Sequence, residues 1–149
     1  MTNKKWDKIG PATKSVWAGE EQSFFEGAAQ VPVVNSVSYN HDDVDEWLDV
    51  ALGKKQGHIY SRNTNPTVKV FEEKMRVLED AEAATSFSTG MAAISGILFA
   101  LMSPGNRIVS VKDTYGGTSF VFMDHMPRFN VDVTMCETHD QDQIEAETL

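Results

Sequence analysis

The chain has 149 residues, of which 41% are apolar and 23% charged, values that exclude a disordered or collagen-like polymer. Its 13 basic and 22 acidic residues give a net charge of −9, which repels phosphate backbones and anionic lipids and excludes nucleic acid and membranes as expected partners. No apolar run follows the lysines at the start, and a lone cysteine, Cys136, cannot form an intrachain disulfide, so a cytoplasmic protein is expected.

The first 40 residues show no sustained helical or strand period, and we expect an extended arm there. Behind Asp42 and Asp43, two candidate helix caps, apolar residues recur at helical spacing. They predict a short amphipathic helix that ends at Gly53 and contains Val44, Trp47, Leu48 and Ala51. The polar residues 54–65 have no apolar period and predict a loop.

Asn65 and Pro66 predict the start of the next helix, because asparagine caps well and proline suits the first helical position. One apolar stripe follows, made of Val68, Phe71, Met75 and Leu78. Charged residues four apart lie on the wet face and are expected to pair, namely Lys69 with Glu73 and Glu72 with Arg76.

The second half of the chain alternates predicted strands and helices. In order, these are a buried strand at 83–87, a helix at 91–102, a strand at 107–112, a helix at 116–126, a strand at 131–135 and the start of a helix at 142–149. The helix at 91–102 is apolar nearly all round and is expected to be buried. The alternation predicts an α/β fold with a mainly parallel sheet and helices on both faces. About three strands would leave an edge open, so we expect part of the fold to lie beyond the C-terminal side.

A candidate anion site lies at Ser88-Thr89-Gly90-Met91, where a predicted strand turns into the apolar helix. This arrangement directs free backbone N–H groups and the positive helix end at one point, with hydroxyl groups beside them. An ordinary helix cap would have the same pattern. The segment matches neither the Gly-Lys-Ser/Thr ending of nucleotide-hydrolase phosphate loops nor the GxGxxG dinucleotide motif.

Four blocks of sequence follow one another in the order and approximate spacing of an enzyme family. They are Tyr60-Ser61-Arg62 with Asn65-Pro66-Thr67, Glu79–Ala83 leading into Ser88–Ile94, Pro104–Arg107, and Asp113–Thr118. These blocks resemble the transsulfuration, or Cys/Met-metabolism, enzymes that depend on pyridoxal phosphate (PLP), among them cystathionine γ-synthase, O-acyl-homoserine sulfhydrylases and methionine γ-lyase. The resemblance implies the N-terminal portion of a PLP enzyme of fold type I.

The resemblance also assigns residues to the cofactor. The main-chain N–H groups of Gly90 and Met91 would bind the PLP phosphate, with Ser88 close by. Tyr60 and Arg62 would reach across a dimer interface to the phosphate of the neighbouring subunit's cofactor. An arginine suits a phosphate dianion because its guanidinium offers paired donors in one plane.

Tyr115 matches the tyrosine that stacks on the cofactor ring and helps proton movement, although a core tyrosine at a strand end would look alike. Gly117 stands where methionine γ-lyases carry a cysteine, which favours a synthase or sulfhydrylase. The resemblance places three functional residues after Leu149: the lysine that carries the cofactor, the aspartate at its ring nitrogen and the arginine for the substrate carboxylate. Lys112, beside the predicted site, is interpreted as structural.

Two hypotheses from different classes follow. The resemblance implies γ-replacement or γ-elimination on homoserine-derived amino acids, with PLP as cofactor and another copy of the subunit as partner in a dimer or tetramer. The alternative is a catalytically inactive dimerisation or cofactor-binding module, which lacks the cofactor-bearing lysine. A separate chain that carries the C-terminal part would distinguish them. Residues 1–58 are expected to form the arm and short helix, and residues 59–149 the first part of the PLP-binding domain.

Two further polar clusters are interpreted without a ligand. His41, Asp42 and Asp43 form a predicted helix start. The other cluster matches no standard metal spacing and is interpreted as a solvated acidic turn, so no metal is expected; it contains Cys136, His139, Asp140 and Asp142.

Overall fold

The computed structural model describes residues 5–20 and 27–148. The parts of the predicted arm at residues 1–4 and 21–26, and the last residue of the predicted final helix, lie outside the described residues. The chain forms two compact units, residues 1–86 and residues 87–149. No helix within the described ranges is long and apolar enough to cross a membrane.

The first unit contains a helix where the sequence predicted only an extended arm. Helix α1 spans Pro11–Trp17, with the proline in its first turn. Its ends are held by tertiary contacts, because Trp6 and Ala18 are buried together with Val77 of a later helix. The arm prediction was therefore wrong at this point. A helix this short is stabilised by packing and not by a helical spacing of its apolar residues. The sequence therefore shows no helical period there.

Helix α2 spans Val44–Ala51 and confirms the prediction of a short helix behind two aspartates. Asp43 is the N-cap, and its Oδ1 accepts a hydrogen bond of 2.7 Å from the backbone N of Glu46. The helix ends before Gly53, whose φ of +70° lies in the left-handed region that favours glycine.

Helix α3, Pro66–Leu78, begins at the predicted cap but buries a different face from the one expected. Val70 and Val77 are buried, while Val68 and Phe71 of the predicted stripe are 43% and 54% exposed. The chain after α1 covers the buried side closely, since a Cβ on Gly19 would lie 3.0 Å from the carbonyl oxygen of Val70. The stripe is therefore exposed within this chain.

The pKa of Glu73 on α3 is lowered by its hydrogen bond to Arg76 and also by the positive charge of Lys69, its predicted partner. Arg76 makes two hydrogen bonds of 2.7 Å to the carboxylate of Glu73, three residues before it. Glu72, the predicted partner of Arg76, accepts from the backbone N and the hydroxyl of Ser86, at 2.8 and 2.9 Å. The end of the first unit is thus tied to α3 by the carboxylate of Glu72.

The second unit has the predicted α/β order: helix α4 (Gly90–Leu101), strand β1 (Arg107–Val111), helix α5 (Gly116–Phe120), strand β2 (Asp132–Cys136) and helix α6 (Gln141–Thr148). A wider turn at Val121–His125 and a tight turn at Met126–Phe129 continue α5. The strands β1 and β2 are parallel, and their register pairs Arg107 with Asp132 and Val111 with Cys136. The α/β class and the parallel sheet are confirmed. The strand predicted at 83–87 was wrong, because those residues pair with no strand in the described sheet.

The core of the second unit lies between α4, the turns after α5 and the sheet. Its buried residues are Leu98, Phe122, Met126 and Val131. Leu98 is the one buried residue of α4, whereas Phe99 and Leu101 are 68% and 67% exposed. The expected burial of α4 was therefore wrong for this chain. A helix that is apolar on all sides is buried only if it has neighbours on all sides. The described residues of the second unit cover one side of α4.

Because Val77 is 1% exposed, Val77→Ala should lower the free energy of unfolding by about 1–3 kcal/mol through lost burial and an unfilled cavity. Val68→Ala, on the exposed side of the same helix, is the matched control and should change it by less than about 0.5 kcal/mol. Urea unfolding followed by circular dichroism measures both. Equal losses in the two variants would contradict the assigned buried face.

Candidate cofactor site

The predicted anion site is the N-terminus of α4. Thr89 is the N-cap, and its hydroxyl oxygen accepts a hydrogen bond of 3.0 Å from the backbone N of Ala92. The carbonyl of Thr89 accepts from the backbone N of Ala93 at 3.1 Å. The amides of Gly90 and Met91 are in the first turn, where no preceding helical carbonyl can bond them. Two donors at the positive end of a 12-residue helix are thus available to an anion.

A second helix start, that of α5, lies against the first. Tyr115 directly precedes α5 and is 72% exposed. A Cβ on Gly117 would lie 2.8 Å from Cε1 of the Tyr115 ring and 3.2 Å from Sδ of Met91. The buried Thr118 places its hydroxyl 3.7 Å from the same sulfur. The thioether of Met91 therefore joins the two helix starts, and the tyrosine ring lies over a position that only glycine leaves open.

The carboxyl ends of the two parallel strands border this place. Asp113 and Thr138 connect the loops after β1 and β2, since the hydroxyl of Thr138 donates to Oδ2 of Asp113 at 2.9 Å. Lys112 forms an ion pair with Glu137. The hydrogen bond to Glu137 raises the pKa of the Lys112 amine, which is then protonated and not nucleophilic near neutral pH. This agrees with a structural role for Lys112.

In the first unit, Tyr60 and Arg62 occupy one tight turn. The carbonyl of Tyr60 accepts from the backbone N of Asn63 at 2.9 Å and of Thr64 at 3.1 Å. The guanidinium of Arg62 lies 5.0 Å from the centre of the Tyr60 ring, which keeps both side chains on the same side of the turn. Ser38 and Tyr60 form an antiparallel bridge, so the turn is attached to the arm.

His58 connects the two ends of the Tyr60–Arg62 turn. Its Nδ1 lies 3.0 Å from the hydroxyl of Thr64, and its ring centre lies 5.3 Å from that of Tyr39. Burial lowers the pKa of His58, and the positive charge of Lys69 lowers it further. The histidine therefore favours its neutral form. Sequence patterns gave no signal for this residue, because its partners come from separate segments of the loop and arm.

The structure brings the predicted site residues together in two groups. The first holds Gly90, Met91 and Tyr115 through the contacts of Gly117, with Ser88 next to the cap of α4. The second holds Tyr60 and Arg62. Thr118 was missed in the sequence, although it stands three residues after Tyr115, the spacing at which helical side chains share a face. Among the described residues, no group of three or more His, Cys, Asp or Glu side chains could hold a metal ion.

These residues fit pyridoxal phosphate. The first turn of α4 offers two amide donors and nearby hydroxyls to a phosphate, and a Cβ at Gly90 would meet no atom within 4 Å. An exposed aromatic ring for the flat pyridine lies beside the same helix start. The fold and site together define an α/β domain that presents a helix N-terminus and a tyrosine ring to a flat, phosphate-bearing group.

The comparisons with known proteins identify the family. The model for Cys/Met metabolism PLP-dependent enzymes matches residues 12–148, and the chain belongs to this family, whose cofactor is pyridoxal phosphate. The chain is 34% identical to an L-methionine gamma-lyase of Treponema denticola, over 97% of this chain and 36% of that protein. It is 31% identical to an O-acetyl-L-homoserine sulfhydrylase of Corynebacterium glutamicum, over 93% of this chain and 32% of that protein.

A solved structure agrees with the family and with the predicted fold type. Cystathionine gamma-lyase from Lactobacillus plantarum, complexed with L-serine, matches with a TM-score of 0.79 and 28% identity, over 93% of this chain and 34% of that chain. The family and the fold-type-I class predicted from the sequence are confirmed. The chain spans about a third of the length of these relatives.

Gly117→Ala should displace the Tyr115 ring, because the new methyl would lie 2.8 Å from Cε1 of that ring. Gly116→Ala is the matched control, since its added Cβ would meet no atom within 4 Å. Nuclear Overhauser effects between the Tyr115 ring protons and the α-proton of residue 117 measure the contact. They should weaken strongly in the first variant only; retention in both would contradict the packing described.

His58 should titrate below its ordinary value of 6.5, and its neutral form should stabilise the fold above that pH. A lowered folded-state pKa means that the unfolded chain takes up the proton first, so this stability is lost as pH falls from 6.5 through the lowered pKa. Proton NMR of the His58 ring across pH 4–8 measures the titration. Lys69→Gln should move the pKa upward, and a titration at or above 6.5 in the parent chain would contradict the burial.

Proposed function

We propose that this chain is the cofactor-holding N-terminal part of a PLP enzyme that catalyses γ-replacement or γ-elimination on homoserine-derived amino acids. The observation that carries the proposal is the joined pair of helix starts, where the Met91 side chain of α4 and the ring of Tyr115 both lie against Gly117. Family membership supports the same chemistry, because the relatives include an L-methionine gamma-lyase and an O-acetyl-L-homoserine sulfhydrylase.

In the proposed function, each site residue binds or orients one part of the cofactor. Gly90 and Met91 donate their amides to the phosphate, and Ser88 adds a hydroxyl. Arg62 of another copy neutralises the same phosphate and Tyr60 adds a hydroxyl donor, which makes a dimer or a larger oligomer the working form. Tyr115 holds the pyridine ring by stacking, and its hydroxyl moves a proton. When bound, pyridoxal phosphate supplies the electron sink that lets the substituent leave.

The absence of a cysteine at position 117 favours a synthase or sulfhydrylase over a methionine γ-lyase. A larger residue at position 117 would compete with the Tyr115 ring for space. We therefore expect the size of this residue to affect the space on the substrate side of that ring. We assign the arm and short helix to residues 1–58 and the first part of the PLP domain to residues 59–149, in a cytoplasmic enzyme for small amino-acid substrates.

A second candidate function is a catalytically inactive dimerisation or cofactor-binding module. The pairing of Lys112 with Glu137 favours it, because the lysine nearest to the site is held as a cation. A separate chain that carries the cofactor-bearing lysine would restore the enzyme. Intact mass of the native preparation distinguishes the two candidates, since a longer polypeptide or a second chain of different mass is expected only for the first.

Titration of the ¹⁵N-labelled chain with PLP and with pyridoxal tests the proposed site. PLP should shift the amide signals of Gly90 and Met91, whereas pyridoxal, which lacks the phosphate, should leave them nearly unchanged. Inorganic phosphate should shift the same signals at higher concentration. Equal shifts with PLP and pyridoxal, or shifts confined to lysine-bearing segments, would refute a phosphate site at α4.

Arg62→Ala should weaken PLP binding about 10- to 100-fold, because a charge-assisted bond to the phosphate is lost. Arg128→Ala removes the same charge from an exposed position and should leave the affinity nearly unchanged. Tyr115→Phe keeps the stacked ring and should retain PLP, but it should lower turnover once the rest of the enzyme is supplied. Equal cofactor loss in the Arg62 and Tyr115 variants, measured by equilibrium dialysis, would refute the separate roles.

A further inference from the structure

We infer that Thr67 is a positioning residue for the phosphate grip of Tyr60 and Arg62, and that it acts through the N-terminal arm. The inference rests on the proposed function of Arg62. Sequence patterns explain Asn65 and Pro66 as a helix start but leave Thr67 without a task. The structure gives Thr67 two long-range hydrogen bonds that a helix start does not need.

Both hydrogen bonds of Thr67 hold one short arm segment. The hydroxyl oxygen accepts from the backbone N of Val34 at 2.9 Å, and the hydroxyl donates to the carbonyl of Pro32 at 3.0 Å. The buried Asn65 adds a third bond, from its amide nitrogen to the carbonyl of Val34 at 2.8 Å. We call these three bonds the arm clasp. Through them the start of α3 binds residues 32–34 from more than thirty positions earlier in the chain.

The arm then carries this constraint to the turn. Three residues after the clasp, the carbonyl of Val37 accepts from the backbone N of Ser61 at 2.8 Å. The backbone N of Tyr39 donates to the carbonyl of Ile59 at 3.1 Å. These two bonds flank Tyr60 on both sides. The segment from Val34 to Val37 is too short to change its span by much. The position of the clasp therefore determines where the Tyr60–Arg62 turn lies.

The turn depends on this support because its own packing is weak. Tyr60 and Arg62 are exposed, and the residues between 54 and 65 are mostly polar. Apolar burial therefore adds little to its order, which depends on the hydrogen bonds within the turn and on those to the arm. A mobile arginine loses more conformational entropy when it binds a phosphate than an arginine that is already held in place. The held arginine therefore contributes more to the binding free energy.

Helix α3 itself does not require the Thr67 hydroxyl. Asn65 caps the helix through Oδ1, which accepts from the backbone N of Thr67 at 2.8 Å and of Val68 at 3.4 Å. Valine has nearly the shape of threonine and a similar helix propensity. Thr67→Val therefore removes two bonds of the clasp and leaves the helix start intact, whereas Thr67→Ser keeps the hydroxyl.

The test compares Thr67→Val and Thr67→Ser with Thr13→Val, an exposed threonine of α1, in the full 149-residue chain. Hydrogen exchange of the Tyr39 and Ser61 amides reports on the turn, and the Lys69 amide, bonded to the carbonyl of Asn65, reports on α3. The ratio of PLP to pyridoxal affinity reports on the phosphate grip. Thr67→Val should speed exchange at Tyr39 and Ser61 about tenfold and lower that ratio about tenfold, with Lys69 unchanged. Thr67→Ser and Thr13→Val should match the parent.

Every other result decides against the inference. Unchanged exchange at Tyr39 and Ser61 in Thr67→Val would show that the clasp does not hold the turn. Faster exchange with an undiminished affinity ratio would show that the turn needs no positioning, while the proposed phosphate site would stand. Loss of Lys69 protection as well would make Thr67 a general structural residue. A parent chain without preference for PLP over pyridoxal would refute the proposed function itself, and the inference with it.

Discussion

The contact between two helix starts is the constraint on which the candidate site depends. Helix α4 begins at Gly90 and α5 at Gly116, and the side chain of Met91 meets Gly117 and Thr118. The parallel strands β1 and β2 end at the same sheet edge, and α5 begins after the first of them. Glycine at position 117 is what lets the Tyr115 ring approach. The N-terminus of α4 and the ring of Tyr115 are therefore neighbouring parts of one candidate site.

The class of fold could be predicted because its signals are local and repeated. Asn65-Pro66 marks the start of α3, and the paired aspartates mark the start of α2. The alternation of predicted strands with predicted helices in the second half of the chain marks β1 and β2. Helix α1 could not be predicted, since its seven residues depend on the burial of Trp6 and Ala18 against Val77. The face of α3 was misjudged for the same reason. Which side of a helix is covered depends on the neighbour, and both sides of α3 carry apolar residues.

The site followed from the sequence only in part. The helix-end argument and the family resemblance both indicated Gly90 and Met91, and the family is confirmed by the matched model. Thr118 and His58 were missed because their partners, Met91 and Thr64, are fixed by tertiary geometry. The strand predicted at 83–87 failed because a strand exists only with a hydrogen-bonded neighbour, which no local pattern can supply.

A net charge of −9 makes the local donors decisive for any phosphate ligand. The field of the whole chain repels a dianion at long range, although salt screens it beyond about 8 Å at physiological ionic strength. Binding must therefore come from donors in direct contact with the phosphate. Backbone amides at a helix start keep their position when side chains move. An arginine on a polar turn contributes to binding only while other contacts hold that turn in place. In the proposed site, Arg62 would therefore require a structural support that Gly90 and Met91 do not.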